Sequence, residues 1–199
     1  LIVIPSASKK YISASIPYVF RQNTDFLYFS GCLENDSILV LEVTEKRMKS
    51  ILFLRPKDKH QEMWDGPRTG HENAPELFAV DEANVIQNFQ SYVDSFRNQV
   101  GSLVWYDERN SDQKHLNEIV HPIDTASIDN PTKFIHSLRW IKSDAEIAMM
   151  RKTCEVASQA VNETIKKSYP GISESQIFAE VDYQCRMNGA SMLAYPPVV

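Results

Sequence analysis

Glycine is scarce here, six in 199 residues, and none falls in a GxGxxG or P-loop spacing. That removes a phosphate cradle built from backbone amides. Cysteine is scarcer: Cys32, Cys154 and Cys185 are an odd number at wide spacings with no CxxC pair. Neither a disulfide framework nor a thiolate zinc site is favoured, and a reducing or matrix-like compartment is the easier reading. No run of Lys or Arg occurs, and the formal charge is -5 with a pI near 5.6. Partnership with nucleic acid or an anionic membrane surface is therefore not expected. No apolar stretch is long enough to span a bilayer.

Several catalytic signatures are missing too. His71-Glu72 begins like HExxH, but position 75 is Pro, so the second imidazole that would face the same metal is absent. His60 and Glu62 add two potential ligands in a charged loop, too few for a zinc site. Ser6, Ser8 and Ser13 have no flanking GxSxG, and no Cys stands at an electropositive helix start, so nucleophilic catalysis has no candidate.

What is present suffices for a core: 43% of residues are hydrophobic and 10% aromatic. The chain changes character across Leu138 to Glu146, which divides it into residues 1–137 and 138–199. Before that junction, Ile2–Ile4 and Ile16–Phe20 are short apolar segments punctuated by Pro5 and Pro17, which fits sheet edges or strand starts. Phe26–Phe29 leads to Gly31. Residues 37–43 and 50–54 are nearly continuous apolar runs, read as a hairpin in a sheet covered on both faces. The polar segment from Asp58 to Pro75, with Gly66, Pro67 and Gly70, reads as a loop. Val85, Ile86, Phe89, Tyr92, Val93 and Phe96 form a helical stripe closed by Gly101, and 102–106 is a further strand. Ser111 is expected to cap a short helix with Leu116, Ile119 and Val120 inward, before a linker region marked by Pro122 and Pro131. Strands alternating with helices predict an α/β domain with a mixed sheet flanked by helices.

After the junction, Ser143 with Glu146 is a capping-box pattern, and the acidic first turn suits the helix dipole. Ile147, Met150, Cys154, Ala157, Val161 and Ile165 then predict a long amphipathic helix with one buried stripe. Ser173 with Gln176 repeats the pattern for a second helix stopped near Gly189. The opening Leu1–Pro5, with no initiator Met, reads as half a strand, and the apolar Leu193–Val199 reads as cut instead of ended.

Trp64 stands out because it has no apolar stripe to join. Such aromatics are enriched at recognition surfaces, although the residues alone modestly favour a side chain folded back on its own domain.

Four stretches carry a resemblance. Arg21–Gly31, then Glu62–Gly70 with Ala74, resemble the N-terminal domain of the aminopeptidase P family, the Xaa-Pro aminopeptidases. Leu138–Glu146 resembles the start of that family's pita-bread catalytic domain, and Asn188–Ala190 through Tyr195–Val199 resembles its approach to the active site. The Trp64-Asp65-Gly66-Pro67-Arg68 and Ala194-Tyr195-Pro196-Pro197 forms resemble most the mitochondrial, intermediate-cleaving branch.

The resemblance implies a metalloaminopeptidase that removes the residue preceding proline or trims imported precursors, works on peptide substrates, is homo-oligomeric, and is mitochondrial or also cytoplasmic. It implies two manganese ions in the intact enzyme, with ligands beyond Tyr195. No metal and no catalytic residue is therefore expected in this chain, which alone should be inactive. It also implies substrate-binding roles for Tyr195 and Trp64, with Trp64 reaching toward a neighbouring subunit, which reverses the reading of that residue. The rival expectation is a non-catalytic peptide- or histone-binding relative of the same architecture. Prolidase or creatinase would share the fold but usually shows a different loop around Trp64.

Overall fold

In a computed structural model that describes residues 1–97, 103–120 and 128–199, the first strand, β1 (Ile2–Pro5), lies inside a six-stranded sheet. It pairs antiparallel with β4 (Ile38–Val43) on one side and parallel with β7 (Val104–Tyr106) on the other. The expectation that Pro5 marks a sheet edge is thus corrected for this strand. A proline at the last residue removes a single ladder donor, and the next amide, Ser6 N–H, resumes the pairing to the Ser37 carbonyl at 2.9 Å.

β4 and β5 (Met48–Leu54) form the expected hairpin, with Ile38 opposite Phe53 and Val40 opposite Ile51. β6 (Glu82–Val85) lies parallel to β5, and β8 (Ile128–Asp129) parallel to β7. The order β6-β5-β4-β1-β7-β8 is a mixed sheet. A short separate ribbon joins β2 (Tyr11–Ser13) and β3 (Ile16–Pro17).

Both faces of the large sheet are covered, which is why the strands read as continuous apolar runs. On one face Val3, Ile38, Val40, Ile51 and Phe53 pack under Phe89 and Val93 of α4 (Phe89–Arg97) and under Leu116 and Val120 of α5 (His115–Val120). Phe53 meets Phe89 edge to face at 5.4 Å, the geometry ring quadrupoles prefer. On the other face Ile4, Leu39, Leu52 and Leu54 pack under Phe26 of α1 (Thr24–Ser30), Ala74 of α3 (Ala74–Phe78) and Ile135 of α6 (Thr132–Trp140).

Three expectations are revised. The stripe from Val85 to Phe96 is not one helix: Val85 ends β6 opposite Leu54, Ile86–Asn88 forms a 3-10 turn, and only then does α4 begin. Apolar spacing cannot see that boundary, because Val85 pairs with Leu54, encoded well before it in β5. Gly101 and Ser102, its expected stop and the next strand's start, lie outside the described residues, as does Pro122. Ser111 does not cap α5; its hydroxyl accepts from Gln113 N–H at 3.1 Å and closes a turn ahead of the helix. The polar segment after Asp58 is not all loop, since α2 occupies Lys59–Asp65.

The chain divides into two units, Leu1–Ser137 and Leu138–Val199. In the second, α7 (Asp144–Lys167) and α8 (Glu174–Met187) both start with complete capping boxes, Ser143 with Glu146 and Ser173 with Gln176. Lys167 bonds Glu180 across the two helices at 2.6 Å. The expected buried stripe of α7 is corrected: Ile147, Met150, Val161 and Ile165 are exposed, and Ala160 and Thr164 are the buried positions of this helix. Within its own unit α7 meets α8, and a single neighbouring helix covers only a narrow seam. No described helix is long and apolar enough to cross a membrane.

Candidate functional site

Trp64 sits in the last turn of α2, 80% exposed, with Met63 beside it also exposed. The helix starts because Asp58 accepts from the N–H groups of His60 at 2.9 Å and Gln61 at 3.1 Å. The Gln61 N–H first, then His60 N–H, with Arg68 nearby, hold the Asp58 carboxyl below the usual carboxylate range. It stops because Gly66, at φ +85°, turns the chain and donates to the Glu62 carbonyl. The seven-residue helix buries no side chain at all. The Trp64 ring is therefore accessible, on a helix and not on the expected loop.

What fixes this segment is polar. Arg68, only 7% exposed, donates from Nη1 to the Pro56 carbonyl at 2.7 Å and from Nη2 to Gln61 Oε1. Its own N–H donates to Glu62 Oε1 at 3.3 Å. Glu34 accepts from Thr69 N–H at 2.8 Å, and Arg55 donates to Asn35 at 2.7 Å. At the other end of α2, Lys9 bonds Asp65 at 2.7 Å, the contact that chiefly holds the Asp65 carboxyl below its ordinary range.

These braces escaped the sequence reading. Arg68 in a Gly- and Pro-bearing stretch looks like any solvated cation, and its partners come from α2 and from Pro56 just past β5. The only local hint is Gly70, whose φ of +74° is a backbone conformation that side chains rarely adopt.

Tyr195, the other candidate, belongs to the second unit and is 74% exposed in the irregular segment after α8. A phenol so exposed can offer one hydroxyl and one ring face to a ligand. Met150 and Cys154 help line an open hollow of about 660 Å³ along α7, with Arg151 and Glu155.

The sequence's weak metal candidates stay apart. His71 Nε2 lies 3.8 Å from Glu72, and Glu62 is engaged by Arg68. Among the described residues no three His, Cys, Asp or Glu side chains converge to hold an ion. The described residues therefore do not fit a dinuclear centre. Cys32, fully buried, has its thiol pushed up to about 11 by burial and is no nucleophile.

Comparison with known proteins gives this geometry its context. Residues 1–105 match the family model "Aminopeptidase P, N-terminal domain", and residues 148–199 match "Metallopeptidase family M24". Xaa-Pro aminopeptidase 3 of Homo sapiens is 37% identical over all of this chain and 41% of its own length. Intermediate cleaving peptidase 55, mitochondrial, of Arabidopsis thaliana is 30% identical over all of this chain and 40% of its own length. Among solved structures, proline aminopeptidase P II from Yersinia pestis superposes with a TM-score of 0.85 at 27% identity, covering 98% of this chain and 47% of that one. The chain thus spans about two fifths of the length of the curated relatives it matches. With the family model covering more than half of its residues, the chain belongs to the aminopeptidase P family.

Proposed function

We propose that this chain is part of a metal-dependent aminopeptidase that releases the N-terminal residue preceding proline, or trims imported precursors in the same way. The observation that carries the reading is the match along the entire chain to a human Xaa-Pro aminopeptidase. In this reading residues 1–137 are the family's N-terminal domain, and 138–199 begin its pita-bread catalytic domain. The second family matched is a metallopeptidase family, and one structural neighbour is a zinc-substituted aminopeptidase P in complex with product. A divalent metal, read here as a manganese pair, would supply hydroxide and oxyanion stabilisation in the whole protein. This chain's own residues would serve the substrate: Trp64 through an exposed ring on a braced helix, Tyr195 as one wall of a pocket. The name of the Arabidopsis relative favours a mitochondrial setting. A homo-oligomer would give the projecting Trp64 a neighbouring subunit to reach.

The test is release of the first residue from Xaa-Pro peptides by the full-length protein with manganese, against Xaa-Ala controls and a chelator. Proline-dependent, chelator-sensitive release supports the reading; peptide binding without turnover in the metal-loaded protein replaces the enzyme with the binding relative. Trp64→Ala should reduce kcat/KM roughly tenfold or more while changing stability by no more than about 0.5 kcal/mol, because the ring is outside the core. Equal loss of both would return Trp64 to a structural role.

A further inference from the structure

We infer that Arg68 is a positioning residue, whose buried guanidinium sets the attitude of α2 on the first unit and so aims Trp64; this rests on the substrate role proposed for Trp64. A helix of seven residues is not stable by itself, and α2 has no buried side chain to hold it by apolar burial. Its two caps do not solve the problem. Asp58 and Gly66 bond only to α2's own backbone, so they would travel with the helix however it swung.

The contacts that anchor α2 from outside are therefore decisive. The Lys9–Asp65 pair is partly exposed, and such pairs contribute little. Arg68 is different in kind. One planar guanidinium spans the Pro56 carbonyl, just past the buried end of β5, and the Gln61 side chain in the middle of α2. Its N–H adds the Glu62 carboxylate one residue further along. A rigid fork bonded to the sheet's frame and to the helix fixes an angle, which a single flexible ammonium cannot.

The fork itself is held in place. Thr69 N–H is bound by Glu34 at 2.8 Å, and Gly70 follows at φ +74°, a left-handed backbone that suits glycine. The arrangement is not a favourable way to gain stability. Among the described residues the guanidinium bonds directly only to neutral acceptors, and its buried Nε has no hydrogen-bond partner. Taking a charge out of water costs several kcal/mol per ion, which neutral acceptors offset only in part. What Arg68 contributes is orientation.

The experiment uses the full-length protein with Arg68→Lys, Trp64→Ala and the double variant, measured as kcat and KM on a Xaa-Pro peptide and as hydrogen exchange of residues 58–68. Arg68→Lys keeps the charge and loses the fork, so KM should rise roughly tenfold, the scale of one charge-assisted hydrogen bond, with kcat near wild type. Amides of α2 should exchange faster while those of β4 and β5 keep their protection. In the Trp64→Ala background, Arg68→Lys should change KM no further. Additive KM effects in the double variant overturn the inference, because Arg68 would then act without Trp64. If Trp64→Ala alone leaves KM unchanged, the proposed role of Trp64 fails separately. The brace is then decided by exchange, and unchanged α2 protection in Arg68→Lys overturns it.

Discussion

Cys32 shows how one buried side chain couples the fold to pH. It packs with Phe26, Leu39 and Ile135 on the sheet face under α1, and burial raises its thiol to about 11 from an ordinary 9.0, against a weak opposing bond from Glu34 N–H to Sγ at 3.4 Å. The folded chain thus keeps the proton over a range where the unfolded chain has released it. The folded-state pKa is the higher one, so the stabilisation is fully present below pH 9 and is lost as pH rises toward 11. Its full size is about 2–3 kcal/mol by proton linkage. Urea midpoints should fall across that window in the wild-type chain, and the fall should be smaller in Cys32→Ala, where lysines and tyrosines still titrate but this thiol does not. Identical slopes in the two proteins would sink the assignment. Iodoacetamide should meanwhile label exposed Cys154 in the native chain and spare Cys32.

At the scale of elements, legibility followed the kind of force that holds each one. α7 and α8 begin where their capping boxes stand in the sequence, because a cap is a local bond between residues three apart. Ser143→Ala should therefore destabilise the start of α7 by about 1 kcal/mol, seen as faster exchange of the amides at 144–147 with α4 and α5 unaffected. Equal protection in both proteins would show that the box is decorative. The hairpin of β4 and β5 was equally plain, since burial on both faces writes itself as unbroken apolar runs. α2 was invisible for the converse reason: it buries nothing, so there was no periodicity to find, and only the Asp58 cap signalled it. α1 is marked at both ends around Phe26–Phe29, by the Asn23 cap and the left-handed Gly31 stop. The Arg68 brace left no pattern to read, because its acceptors, a Pro56 carbonyl and the Gln61 and Glu62 side chains, share no periodic spacing that marks a buried cation.

For the chain as a whole, the prediction is that these 199 residues alone do not turn over Xaa-Pro peptides and do not bind manganese stoichiometrically. A dinuclear site needs several carboxylates, usually with imidazole, converging at fixed spacing, and no such set of three occurs among the described residues. Four carboxylates of the second unit are already committed to other partners. Glu146 bonds back to its own cap, Glu163 holds Lys166 at 2.6 Å, Glu180 holds Lys167 at 2.6 Å, and Asp182 holds Arg186 at 2.9 Å. Recruiting them would break surface pairs at little cost, but they point outward along helices with nothing arranged to bring them together. The measurement is a fluorogenic Xaa-Pro assay and equilibrium dialysis with manganese on the 199-residue chain, run beside the full-length protein. Micromolar one-to-one or two-to-one manganese binding by this chain, or turnover comparable to the full-length protein, would mean that a metal site assembles from residues assigned here to caps and ion pairs.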